Sequence, residues 1–146
     1  MKPEESAYLK LNEASPSIQT HLQIIQGVIQ RMASNSASCK TWCVTIVAAI
    51  LVLAGEKENP KLVCIALMPT ILFGALDVYY LGLEKGFRKS YNDFIEKLHS
   101  ERLVASDLYS MTPTGGRRLL ESMTSFSIWG FYVTLILLAM LTVWLI

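Results

Sequence analysis

Residues 124–146 read TSFSIWGFYVTLILLAMLTVWLI, a run with no charged residue. At about 1.5 Å per residue it is long enough as a helix to cross the roughly 30 Å of hydrocarbon in a bilayer. In lipid a backbone must satisfy its own hydrogen bonds, so a lone segment of this kind has to be helical. Two more apolar segments precede it. Residues 62–83 have spanning length, and Pro69 inside them predicts a kink or a freed carbonyl. Residues 42–55 supply only about two-thirds of the roughly 20 residues a span requires. They cross only if 36–41 belong to the same helix, with Lys40 snorkelling and Trp42 near the headgroups. A chain of 146 residues, 52% hydrophobic and 17% charged, belongs to the same class by composition. The expected fold class is all-α: an integral membrane helical protein with three transmembrane helices, at 36–55, 62–84 and 124–146, and cytoplasmic helical extensions that form a stalk.

The cations fix an expected orientation. Lys2, Lys10, Arg31 and Lys40 precede the first span, and Lys85, Arg88, Lys89, Lys97, Arg102, Arg117 and Arg118 follow the second. The short connection between those spans holds only Lys57 and Lys61. Positive-inside bias places the N-terminus and the long central segment in the cytoplasm and the C-terminus outside, which three crossings satisfy. The polar tail, 1–16, has no apolar signal-peptide region.

The cytoplasmic parts carry helical periodicity. Ile18, Leu22, Ile25, Ile29 and Met32 recur at three- and four-residue spacing after a Ser15-Pro16 start, so 17–40 reads as an amphipathic helix running into the first span. Leu83, Phe87, Tyr91, Phe94 and Leu98 repeat in the same way, extending the second span through 85–100. The pattern weakens over 101–123, where Pro113, Gly115 and Gly116 suggest a connector returning the chain to the membrane. Its Arg117 and Arg118, with Lys40, are the candidates for lipid headgroups.

Within the second span one carboxylate stands out. Asp77 lies in apolar sequence, and an ionisable residue there is costly enough to be a functional suspect. Asp77, Glu84 and Arg88, spaced by seven and four, share a face with Tyr80 beside them, and these four are the pore-lining or gating candidates. The bland alternative is structural: Asp77 near the inner interface, reaching water, pairing with Lys40 or Arg88, or bonding Trp42 or a tyrosine hydroxyl. On a neighbouring ridge Ala66, Thr70, Gly74, Val78, Gly82 and Gly86 follow every four residues. Small residues so placed let another helix approach closely.

Catalysis finds little support, and the chain is expected not to be an enzyme. His21 and His99 lack partners at metal-ligand spacing and read as solvated helix positions, so no metal and no cofactor is expected. Cys39, Cys43 and Cys64 lie in or beside the predicted spans and read as small packing residues. A formal net charge of +1 argues against direct nucleic-acid binding.

The strings RMASNSASCKTW at 31–42 and LDVYYLGLEKGFRKSYNDF at 76–94, set in an N-terminal helix, a tight two-span hairpin and a long helix after it, resemble the SLATT class of bacterial membrane effectors. The resemblance covers about Ile18 to Leu98, and the third span lies outside it. It implies an oligomeric effector in the bacterial inner membrane that perturbs or conducts through the bilayer when triggered, in anti-phage defence. The partners it implies are membrane lipid, further copies of the chain and a cytoplasmic sensor or enzyme. The competing expectation is a non-conducting anchor or regulatory subunit that docks such a partner through its stalk.

Overall fold

A computed structural model describes residues 14–146. Most of the polar tail, with Lys2 and Lys10, lies outside the described residues. Helix α1 runs from Pro16 to Glu56, a 3₁₀ turn from Pro60 to Ala66, α2 from Leu67 to His99, a second 3₁₀ turn from Ala105 to Asp107, α3 from Arg118 to Met123 and α4 from Phe126 to Leu145. No strand occurs among the described residues. The helices that begin at Pro16, Pro60 and Phe126 are each long and apolar enough to cross a membrane.

α1 opens where Ser15 and Pro16 predict, with the Ile18 and Gln19 amides donating to the Ser15 carbonyl at 3.0 and 3.2 Å. Its 41 residues make about 60 Å of unbroken helix, twice the thickness of bilayer hydrocarbon. α1 and α2 end in the same way. The Glu58 and Asn59 amides return to the Gly55 and Ala54 carbonyls, and the Glu101 and Arg102 amides to those of Leu98 and Lys97. These are Schellman ends, with a glutamate at the left-handed position usually held by glycine (φ 46° at Glu58, 55° at Glu101).

The second span departs from the expectation of one helix starting at Leu62. Asn59 accepts the Lys61 amide at 3.1 Å and Pro60 follows as first residue, so the chain enters as a 3₁₀ turn. It becomes α-helical only at Leu67. Pro69 therefore falls in the first turn of α2, where an amide is dispensable. The third span starts at Phe126 rather than Thr124, because Ser125 is extended (φ −68°, ψ 135°) and breaks the chain between α3 and α4.

The chain divides into two compact units. One joins the residues up to Met32 with 83–116. Its core is Ile18, Phe94, Leu98 and Leu103, with Leu22 and Leu108 packed against it. Burying each such side chain from water contributes about 1.5–3 kcal/mol, enough to hold a short segment down. Residues 101–116 of the stretch expected to be a connector are part of this unit. Leu103 is buried in the core, and Ser90 on α2 staples the later residues, donating to the Thr112 carbonyl at 2.7 Å and accepting the Thr114 amide at 3.1 Å.

The other unit joins 33–82 with 117–146. Cys43 and Val47 of α1, Ala66, and Ile128, Tyr132 and Leu135 of α4 form its centre, and Ala54, Val63 and Ala139 form a second cluster. The outward faces are apolar: Met68 is 77% exposed, Ile71 71% and Trp144 80%. That combination, a tightly packed interior inside an apolar exterior, suits a hydrocarbon solvent.

Candidate functional site

Asp77 is fully buried in the second unit, and α1 supplies its partners. The Ser36 hydroxyl donates to Oδ1 at 2.5 Å, and the Lys40 ammonium faces Oδ2 at 2.5 Å. Lys40 also donates to the Ser36 oxygen at 3.3 Å, which closes a three-residue cluster. The arrangement follows from helical spacing, since Ser36 and Lys40 are four apart and project onto one face of α1. Lys40 retains 19% exposure at its side chain, so the ammonium is not sealed as the carboxylate is.

Around this cluster the wall is mixed. Cys39 and Cys43 are buried, with the Cys43 thiol 3.9 Å from the Pro69 carbonyl. Thr70 is buried and returns its hydroxyl to the Ala66 carbonyl at 2.7 Å. The buried Tyr132 hydroxyl of α4 lies within electrostatic reach of Asp77, but no aligned hydrogen bond joins the two. Burying a hydroxyl without a partner costs about 1–3 kcal/mol, so this one favours a nearby proton acceptor.

The predicted site residues separate into distinct local groups. Lys40, read both as a headgroup candidate and as one of two cations for Asp77, is the one that pairs with it. Arg88, the other, bonds Glu84 on its own helix at 2.8 Å in the first unit. Tyr80 is half-buried, and Tyr79 packs edge-on against it with ring centres 5.6 Å apart. Ala66 and Thr70 are buried, and Tyr132 packs over Gly74, where an added Cβ would lie 3.6 Å from its ring. Gly82 is covered by α3, with Leu119 only 3.0 Å from where its Cβ would be. In the first unit the Gly86 carbonyl accepts the Thr114 amide at 3.3 Å. Arg117 is exposed and Arg118 half-buried at the start of α3.

Ser36 and Tyr132 escaped the sequence reading. Ser36 shares a face with Cys39, Lys40 and Cys43, which is a usable signal. Tyr132, in a run with no charge to point at, offers none.

Two expectations are corrected. His21 is not a solvated position but 1% exposed. Residues 104–110 fold over it: the Tyr109 amide donates to its Nδ1 at 2.9 Å, and Phe94 lies against the ring at 4.3 Å between centres. Burial holds the imidazole below its ordinary range, against a smaller upward pull from Asp107. Asp107 itself is held low by the hydrogen bond from Lys97 at 2.7 Å, with burial opposing. Cys64, unlike Cys39 and Cys43, is exposed, because the 3₁₀ turn that carries it presents a different face from the helix expected there. Among the described residues no group of three or more His, Cys, Asp or Glu is placed to hold a metal ion.

No protein-family model matches the chain, and no curated protein or solved structure matches it either.

Proposed function

We propose that this chain is a membrane effector that assembles with further copies of itself and perturbs or conducts through the bacterial inner membrane when triggered. Defence against phage is the setting its resemblance to SLATT-type effectors implies. The N-terminus lies in the cytoplasm and the C-terminus in the periplasm. The observation that carries the reading is the buried pair of Lys40 and Asp77. Two charges in a membrane-spanning unit stabilise an arrangement only while they face each other, and parting them is costly until water reaches both. The pair fastens the closed state. Once it parts, water or ions pass along the face of α2 that Asp77 shares with Tyr80. Because α1 and α2 each run unbroken through residues of both units, a sensor or enzyme acting on the stalk has a covalent route to Lys40 and to Asp77.

One observation favours a second reading. Tyr132 and Leu119 of the same chain already occupy the small-residue ridge at Gly74 and Gly82, where a neighbouring copy would have to dock. A self-contained bundle of this kind suits a non-conducting anchor that holds a cytoplasmic partner. Induced expression with a potential-sensitive dye separates the two. The effector reading expects Asp77→Asn to depolarise cells at levels where the wild type is silent until triggered. An unchanged potential for both proteins at high expression decides for the anchor.

A further inference from the structure

Among the described residues two buried side-chain oxygens have no hydrogen-bond partner, the Tyr132 hydroxyl and Asp77 Oδ2, and they belong to side chains within electrostatic reach of each other. Oδ1 is taken by Ser36. The Lys40 ammonium meets Oδ2 as a charge without the alignment of a hydrogen bond, so Oδ2 keeps its capacity to accept one. Tyr132 reaches the same region from α4. Its ring lies over Gly74, three residues before Asp77 on α2, and the ring carbon that carries the hydroxyl is 3.8 Å from where a Gly74 Cβ would stand. The cluster it packs in, with Val47 and Leu135, asks only for an apolar ring. Around Asp77 the partners differ in their freedom to move. Asp77 has no exposure and Ser36 6%, whereas the Lys40 side chain keeps 19%, on a four-carbon stem that can carry its ammonium to water. We propose that Asp77 is a two-position device: Lys40 holds it in the structure described here, and when Lys40 swings out the Tyr132 hydroxyl takes its place by donating to Oδ2. The exchange passes the carboxylate from α1 to α4, so it stays hydrogen-bonded while α1 is released, and no proton has to enter or leave the buried cluster. This goes beyond a pair that fastens a closed state, and it holds whether or not the chain conducts.

Tyr132→Phe tests the proposal when it is made both in the wild-type chain and in Lys40→Met, which fixes the parted state, and each protein is unfolded reversibly in mixed detergent micelles. In the wild-type background the substitution removes an unpaired hydroxyl, so the folding equilibrium should rise or stay within about twofold. In Lys40→Met it removes a hydrogen bond to a charge, and the equilibrium should fall about tenfold or more. Lys40→Gln, whose amide can still donate to the carboxylate, supplies the same comparison if Lys40→Met does not fold, with an expected fall of about threefold. Infrared difference spectra give a readout that packing alone would not move. The carboxylate stretch of Asp77, identified by its loss in Asp77→Asn, should shift on Tyr132→Phe in the Lys40→Met or Lys40→Gln protein and stay in place in the wild type. A loss in the wild-type background as large as that without Lys40, or a carboxylate band that ignores the hydroxyl once Lys40 is gone, overturns the proposal. Replacement of that band by the stretch of a protonated carboxyl also overturns it, since Asp77 would then have discharged instead of changing partner.

Discussion

Removing Lys40 should cost far more than removing the pair together. With charge centres about 4 Å apart and an effective dielectric of about 20, the attraction between Lys40 and Asp77 is about 4 kcal/mol. Each ion also gives up hydration, so the pair contributes little net stability compared with an apolar pair of the same volume. Asymmetry in burial then sets the single-substitution costs. Lys40→Met strands a carboxylate that is fully buried, leaving it the Ser36 hydroxyl and the nearby hydroxyl of Tyr132 but no cation, for an expected loss of about 3–5 kcal/mol. Asp77→Asn strands an ammonium whose side chain is 19% exposed and can move toward water along its stem, so about 1–3 kcal/mol is expected. The double change Lys40→Met with Asp77→Leu should fall within about 1–2 kcal/mol of the wild type. Reversible unfolding in mixed micelles of an ionic and a non-ionic detergent, analysed as a double-mutant cycle, measures the coupling. Additive losses would show that the two charges do not depend on each other, and the reasoning from burial would then be wrong.

Three further outcomes follow from local geometry. Ser36→Ala should cost about 0.6–1.7 kcal/mol in the same unfolding assay, the range found for interhelical hydrogen bonds in membranes, and less in the Asp77→Leu background. Glu58→Gly and Glu101→Gly should each stabilise by about 1 kcal/mol, because both glutamates sit at positive φ where glycine carries no steric cost, and thermal unfolding in detergent would read the gain. His21 is held neutral by burial and accepts the Tyr109 amide, so the folded form resists the proton that the unfolded chain takes. Its stabilisation is therefore complete above about pH 6.5 and is lost as pH falls from there through the lower folded value. Corrected for intrinsic rates, exchange of the Tyr109 amide should accelerate across that window and not in His21→Gln, whose amide oxygen can still accept; identical pH profiles would remove histidine from the explanation.

The elements most legible in the sequence were those set by periodicity and hydropathy. Uncharged 124–146 and the stripes at Ile18 to Met32 and Leu83 to Leu98 point directly to α4, to the first half of α1 and to the second half of α2. The entry to α2 was less legible, since Asn59 and Pro60 select a 3₁₀ turn through capping and backbone geometry that an apolar run conceals. The region from Leu103 to Thr114 was harder still. Its contacts include a buried leucine, an Asp107 bonded to Lys97, the Tyr109 amide on His21 and the two roles of Ser90, none of them periodic. Burial of His21 depends on that region, which is why a polar residue on an amphipathic helix read as solvated. At the site, Asp77 announced itself as a charge in apolar sequence and Lys40 was among its candidate partners. The choice of Lys40 over Arg88 lay in the packing of α1 against α2, which spacing along one helix does not encode.

The central claim is that the Lys40–Asp77 pair fastens a closed membrane protein, and conductance of purified protein in planar bilayers tests it most directly. Without any trigger, Asp77→Asn should pass current while the wild type is silent, and exchanging the charges, Lys40→Asp with Asp77→Lys, should restore silence. If folded Asp77→Asn is as silent as the wild type, or the charge exchange conducts as freely as Asp77→Asn, the pair does not hold the protein closed.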